Sequence, residues 1–325
     1  MTPNKIALLK KMSNEAGVIA ALAIDQRGSL KKMLAAAAKQ PANEEDIVAF
    51  KEAISSELTP YASAILLDPE YGLPAAKVRA DGTGLLVAYE KTGYDVSTPG
   101  RLPDLISEWS VKRLKAAGAD SIKFLLYYDV DEAKAINDQK QAFVERIGDE
   151  CLAEDLPFFC ELVSYDATNE DVKGVEYAKV KPHKVLEMMT EFSKAQYNID
   201  VLKVEVPVNM AYVEGFNEDR EVVYTQAQAM ALFKAQSDAT TLPYIFLSAG
   251  VTAALFQATL ELAHEADAQF NGVLCGRATW KNGIEPFASS EAAGRQWLQT
   301  TGKQNIETLN SVLNRTATSW FSKVQ

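Results

Sequence analysis

The chain has 325 residues, 47% hydrophobic and 24% charged, with a formal net charge of −11. That composition supplies a large apolar core. Its acidity argues against non-specific nucleic-acid binding, so an anionic substrate needs basic residues placed locally. No run approaches the roughly 18 apolar residues of a membrane span, and the opening MTPNKIALLKKM lacks the apolar segment of a signal peptide.

Cys151, Cys160 and Cys275 are an odd set without close pairing, which fits reduced thiols in a cytoplasmic protein. His183 and His264 have no second histidine or cysteine at ligand-like spacing. A zinc site built on several histidines is therefore not expected, and no metal or other cofactor is. The length admits two domains, but α/β barrels commonly run this long as one.

In chain order, residues 3–14 carry Ile6, Leu8, Leu9 and Met12 at helical spacing. Residues 17–24 (GVIAALAI) read as a first strand running into Asp25-Gln26-Arg27-Gly28. Helices follow over 30–38 and 44–58, the second with Asn43 as N-cap. Residues 62–67 form a second strand ending at Asp68, and 84–89 a third ending at Glu90. The spacing predicts a helix over 101–117, closed by Gly118.

The fourth strand, 119–128, is interrupted by Lys123, and a helix over 131–153 follows it. The fifth, 157–163, is interrupted by Glu161. Residues 164–180 are polar enough for a lid, and a helix is expected over 182–197 with Pro182 in its first turn.

The sixth strand, 199–206, carries Lys203 and Glu205 at i and i+2, on one face, and is closed by Pro207. A second lid candidate over 208–222 precedes a helix at 224–237. Residues 243–248 form a seventh strand entering Ala249-Gly250, followed by a helix over 252–266. Residues 272–275 form a short eighth strand entering Gly276-Arg277, and helices over 286–300 and 303–318 close the chain.

Eight apolar strands, each followed by a helical segment, describe a (β/α)8 barrel with additional terminal helices, one domain over 1–325. A doubly wound open sheet is disfavoured because no G-x-G-x-x-G follows any strand. In such a barrel the active site lies at the C-terminal strand ends, which here offer Asp25, Glu90, Lys123, Glu161, Lys203, Ser248 and Arg277. Three consecutive strands with an internal Lys or Glu are poorly explained as a stability device, since buried charges are costly to desolvate.

Two lysines and a glutamate in one pocket suit an amine nucleophile. An amine freed of its proton attacks a ketone, the resulting iminium draws electrons from a breaking carbon–carbon bond, and a carboxylate shuttles protons. Glu161 is the candidate acid/base, and Lys203 has the more buried context of the two lysines. Lys123 is read either as lowering the Lys203 pKa or as binding an anionic oxygen. Spacing alone leaves the nucleophile open between the two. Ser248-Ala249-Gly250 and Gly276-Arg277 stand where this fold keeps phosphate, after strands seven and eight.

These residues carry a resemblance. Ala23-Ile24-Asp25-Gln26-Arg27-Gly28, Ser121-Ile122-Lys123-Phe124-Leu125, Glu161-Leu162-Val163, Leu202-Lys203-Val204-Glu205-Val206-Pro207, Leu247-Ser248-Ala249-Gly250-Val251 and Cys275-Gly276-Arg277 span nearly the whole chain in order. They resemble the tagatose-1,6-bisphosphate aldolases of bacterial galactose and lactose catabolism, which are class I (Schiff-base) barrel aldolases.

The resemblance implies cleavage of tagatose 1,6-bisphosphate to dihydroxyacetone phosphate and glyceraldehyde 3-phosphate, with loose stereochemical choice. It implies Lys203 as the Schiff-base lysine and Glu161 as the acid/base. Asp25, Gln26, Lys123, Ser248, Ala249, Gly250, Gly276, Arg277 and Glu90 would contact substrate. The expected partner is a phosphorylated ketose, with no nucleic acid and no membrane; a homo-oligomer such as a dimer is compatible with the sequence. The competing readings are an aldolase for another phosphorylated ketose, such as a sulfo-sugar phosphate, a metal-dependent aldolase, and a sugar-phosphate sensor.

Overall fold

The structure, a computed structural model, describes residues 1–324. Short runs rich in Ile, Leu, Val and Ala make eight strands. They are β1 (Ile19–Ala23), β2 (Ala64–Leu67), β3 (Gly84–Ala88), β4 (Ser121–Tyr128), β5 (Phe158–Ser164), β6 (Val201–Val204), β7 (Tyr244–Leu247) and β8 (Gly272–Cys275). All neighbours pair in parallel and β8 returns to β1, so the sheet closes into a (β/α)8 barrel. Such strands are covered on both faces, which is why they read as near-continuous apolar runs.

The helices are α1 (Pro3–Lys11), α2 (Gly28–Ala38), α3 (Glu44–Leu58), α4 (Leu73–Lys77), α5 (Val111–Ala116), α6 (Lys134–Ala153), α7 (Val175–Phe192), α8 (Gln226–Asp238) and α9 (Ala253–Glu265). After β8 come α10 (Arg277–Trp280), α11 (Ile284–Ser289), α12 (Glu291–Trp297) and α13 (Lys303–Thr316). Asn43 begins α3 with a reciprocal capping box to Asp46, a pairing that satisfies two otherwise orphaned donors.

Two apolar layers result. The larger joins the outer faces of the strands to the helices. The smaller fills the barrel with alternate strand residues, among them Ala21, Leu66, Phe159, Val201 and Ile245. Leu9, Met12 and Trp320 from the two chain ends join this inner layer, and the Trp320 indole donates to Ser13 Oγ at 2.6 Å.

Three expected helices differ. Residues 101–110 are not helical; only Val111–Ala116 is. Gly100 and Arg101 have φ of +90° and +44°, and Pro103 disfavours a helical residue before it. The helix expected from 182 begins at Val175, so Pro182 lies inside it and not in its first turn. Pro182, Tyr177, Ala178 and Val185 are all buried. Their packing outweighs the roughly 3 kcal/mol that an interior proline costs. The helix expected over 286–300 is split by an extended Ser290, whose hydroxyl caps α12.

Candidate active site

Lys123 lies in register with Ala88 on β3 and with Phe159 on β5, while Glu161 is opposite Lys203 on β6. Phe159, Val201 and Ala88 belong to the inner layer, and the two-residue strand period carries that face up to Lys123, Glu161 and Lys203. The apolar lining of the barrel thus gives way to charge at the C-terminal ends of the strands.

Lys123 Nζ lies 3.0 Å from Asp25 Oδ2, 2.6 Å from Glu90 Oε1 and 2.7 Å from Glu161 Oε2. Lys203 Nζ lies 2.7 Å from the other oxygen, Glu161 Oε1. Glu161 therefore bridges the two ammonium groups. Lys123, Lys203, Glu90 and Glu161 are all buried, so their interactions are poorly screened.

Burial works against the charge of Lys123, yet Asp25, Glu161 and Glu90 outweigh it and hold its pKa well above the ordinary lysine value. Burial likewise opposes ionisation of Asp25 and Glu161, but Lys123 and Lys203 prevail and keep both below the usual carboxylate range. Glu90 goes the other way: burial, with the nearby Asp25 charge, pushes it up despite Lys123. Among the described residues Lys123 is thus clamped as an ammonium by three carboxylates, whereas Lys203 meets one, Glu161. Such a site can keep one lysine as a fixed cation while a bridging carboxylate exchanges protons with the other.

The other sequence-selected residues fall into two groups. Gln26 follows Asp25, and its Oε1 is buried without a partner. Across the barrel mouth, Ser248 is buried at the end of β7, while Ala249 and Gly250 form an exposed turn with φ of +48° and +77°. A Cβ on Gly250 would come within 2.9 Å of Arg277 Nη2, so the guanidinium after β8 lies against this turn. Gly276 is equally confined, its missing Cβ facing the Ala23 carbonyl at 2.9 Å. Among the described residues Arg277 pairs with no carboxylate, which leaves its fork free for an anion.

Gly250→Ala is expected to raise the half-saturating concentration for a phosphorylated ligand about tenfold, by displacing Arg277 and straining a left-handed residue. The melting temperature should fall by only about 2–4 °C, the backbone strain alone, because Gly250 and Arg277 are exposed and no core packing is lost. Kinetics beside a thermal melt check this.

Glu205 departs from expectation. It lies one residue beyond β6 and accepts from Ser164 N at 2.7 Å and Ser164 Oγ at 2.6 Å. Its cation is Lys181, 3.6 Å away. Among the described residues it makes no ion pair with Lys203, because its carboxylate is taken by the end of β5.

Two supporting residues escaped the sequence reading. Arg27 is buried and donates to Glu70 Oε2 at 2.6 Å and to the Glu90 carbonyl at 2.6 Å. Lys51 of α3 is wholly buried, bonding Asp68 and the Ile24 carbonyl next to Asp25. A signal existed for Lys51: it follows Ile47 by four residues and precedes Ile54 and Leu58, on the helix's buried face.

A family model described as "DeoC/LacD family aldolase" matches residues 19–282, a span that contains Asp25, Glu90, Lys123, Glu161, Lys203, Ser248 and Arg277. This chain belongs to the DeoC/LacD family of aldolases. It is 63% identical to "Tagatose 1,6-diphosphate aldolase 2" of Enterococcus faecalis, over 100% of this chain and 98% of that relative. It is 56% identical to the protein of the same name from Streptococcus agalactiae serotype III, over 100% and 99%. Among solved structures, an archaeal fructose 1,6-bisphosphate aldolase superposes with a TM-score of 0.57 at 14% identity, covering 94% of this chain and 98% of that one. At that identity the likeness is one of fold. Like the relatives named tagatose 1,6-diphosphate aldolase, the chain is a carbon–carbon lyase.

Proposed function

We propose that this DeoC/LacD aldolase cleaves D-tagatose 1,6-bisphosphate to dihydroxyacetone phosphate and D-glyceraldehyde 3-phosphate, through a Schiff base on Lys203. The observation that carries the reaction is the Glu161 carboxylate, 2.7 Å from Lys203 and 2.7 Å from Lys123. The substrate is favoured by full-length relatives at 56–63% identity that bear that sugar's name. The same reading takes residues 1–325 as one domain, since both chain ends contribute to the barrel's inner layer.

In this scheme Glu161 takes a proton from Lys203, and the neutral amine attacks the C2 carbonyl. The carbinolamine loses water to give an iminium. The C4 hydroxyl surrenders its proton to a carboxylate as the C3–C4 bond breaks, and that electron pair moves toward nitrogen, leaving an enamine. Glyceraldehyde 3-phosphate departs. The enamine takes a proton at C3, and water hydrolyses the new iminium to release dihydroxyacetone phosphate and restore the amine.

Lys123 serves as the fixed cation beside the reacting oxygens, kept in place by Glu90 at 2.6 Å. Asp25 and Gln26 face the substrate hydroxyls. Ser248, Ala249, Gly250, Gly276 and Arg277 receive the phosphate next to the carbonyl. A phosphate clamp that dominates binding leaves each hydroxyl epimer to alter only one or two hydrogen bonds, which fits tolerance of other ketohexose bisphosphates.

The test is borohydride reduction in the presence of dihydroxyacetone phosphate, followed by peptide mass mapping. A reduced adduct on Lys203 supports the proposal, and an adduct on Lys123 reverses the two lysines. No adduct, with cleavage lost in EDTA, sinks it.

A further inference from the structure

We infer that Arg101 is a specificity residue that holds the second phosphate, on the end of the substrate remote from the Schiff-base carbon; this rests on the bisphosphate reading above. Arg101 lies in the connection between β3 and α5, where the sequence pattern suggested a helix. Its backbone is left-handed, with φ of +44°, a conformation that costs an ordinary L residue about 1–2 kcal/mol and is retained chiefly where the surroundings impose it. Gly100 has φ of +90°, and any Cβ on it would come within 2.5 Å of Ile136 Cγ2 in α6. The turn is therefore wedged against α6 and delivers the arginine inward.

The guanidinium carbon stands 3.6 Å from the centroid of the Tyr127 ring and 5.7 Å from that of Tyr165. Tyr127 is on β4 four residues beyond Lys123, on the same strand face and about 13 Å nearer the mouth at ~3.3 Å per residue. Tyr94 meets Tyr127 edge to face, the ring centroids 5.9 Å apart, and its hydroxyl donates to the Leu125 carbonyl at 2.6 Å.

Stacking accounts for where Arg101 lies but leaves its charge unanswered. Among the described residues its side chain makes no ion pair and no hydrogen bond, and Nε is buried without a partner. The neighbouring cation is not in that position: Lys140 bonds the Tyr165 hydroxyl at 2.7 Å and lies 3.3 Å from Glu132. Arg101 is thus an aromatic-braced guanidinium lacking a counterion.

Its place in the barrel decides which anion it suits. Tyr127 and Tyr165 stand at the ends of β4 and β5, while the Ser248–Gly250 turn and Arg277 follow β7 and β8. In a closed order of eight, β4 and β8 are diametrically opposed. Arg277 and Arg101, neither of them ion-paired among the described residues, therefore lie on opposite sides of the barrel mouth that holds the Lys123–Glu161–Lys203 cluster. That arrangement offers one cation to each end of a substrate that carries two anions, whereas a three-carbon monophosphate has a single anion to place.

The test uses Arg101→Gln and Arg101→Lys in the full chain. Two readouts are needed: kcat and KM for tagatose 1,6-bisphosphate, and the concentration of dihydroxyacetone phosphate that half-saturates borohydride inactivation. For Arg101→Gln, KM for the bisphosphate should rise about 10- to 100-fold, the effect of losing a charge-assisted hydrogen-bonded pair. The dihydroxyacetone phosphate value should stay within about twofold, since that ligand carries no distal phosphate, and Arg101→Lys should recover part of the KM loss.

An unchanged KM overturns the inference. So does an equal loss in both readouts, which would mark Arg101 as a support of the fold. If the unaltered chain forms no borohydride adduct, the Schiff-base function fails and takes this subsite with it. An adduct on Lys203 with a neutral Arg101→Gln removes the subsite alone.

Discussion

Lys203→Arg is expected to abolish cleavage, with a loss of at least about 10⁴-fold in kcat, the scale seen when a covalent nucleophile is removed from its catalytic unit. Arginine keeps the positive charge that Glu161 needs 2.7 Å away, so the buried carboxylate is not orphaned and the barrel should hold. It cannot shed its proton in a protein, and so cannot attack a carbonyl. The melting temperature should therefore change little while activity and borohydride labelling both vanish. Measuring the melt, the rate and the adduct mass together separates chemistry from folding. Continued labelling of the Lys203→Arg protein, with the adduct moved to Lys123, would refute the assignment.

The second large effect concerns stability. Lys123→Met keeps length and apolar bulk but strips the ammonium that Asp25, Glu90 and Glu161 share at 2.6–3.0 Å. Removing one partner of a buried ion cluster costs about 3–5 kcal/mol, a fall in melting temperature on the order of 5–10 °C for a chain of this size.

The pH dependence has a definite sign. Asp25 and Glu161 lie below their ordinary values of 3.8 and 4.5. Their contribution is therefore present above those values and lost as pH falls toward the depressed native ones. Lys123 is a major source of that depression, so the variant's deficit should be largest near neutral pH and shrink from about pH 5 downward, as the orphaned carboxylates take up protons. Glu90, already raised by burial, should protonate first. Melts of both proteins from pH 7 to 4 test this; a deficit constant with pH would show that lost packing, not lost charge, is responsible.

Much of this was legible in the residues, for identifiable reasons. Strands covered on both faces read as short apolar runs, so all eight were visible, and any charge inside one was conspicuous. Lys123, Glu161 and Lys203 stood out in that way, and the structure brings their charged groups into contact. Asn43 before α3 caps as its residue type suggests. The 101–117 segment misled because helical spacing carries no signal of the wedge between Gly100 and Ile136. Pro182 misled because tertiary burial can override a local helix-stop signal.

The sequence by itself pointed to the kind of chemistry. A lysine and a glutamate inside consecutive apolar strands suggest an amine nucleophile with a proton carrier near it. What only the tertiary structure decided is the division of labour. Asp25 on the β1 end reaches Lys123 on β4, 98 positions further along the chain, and Arg277 meets Gly250 because β7 and β8 are neighbours. Those contacts exist only once the sheet has closed on itself. Closure brings the charges at the ends of β1, β3, β4, β5 and β6 together around two buried lysines, and there the count of carboxylates around each lysine separates the fixed cation from the lysine proposed to react.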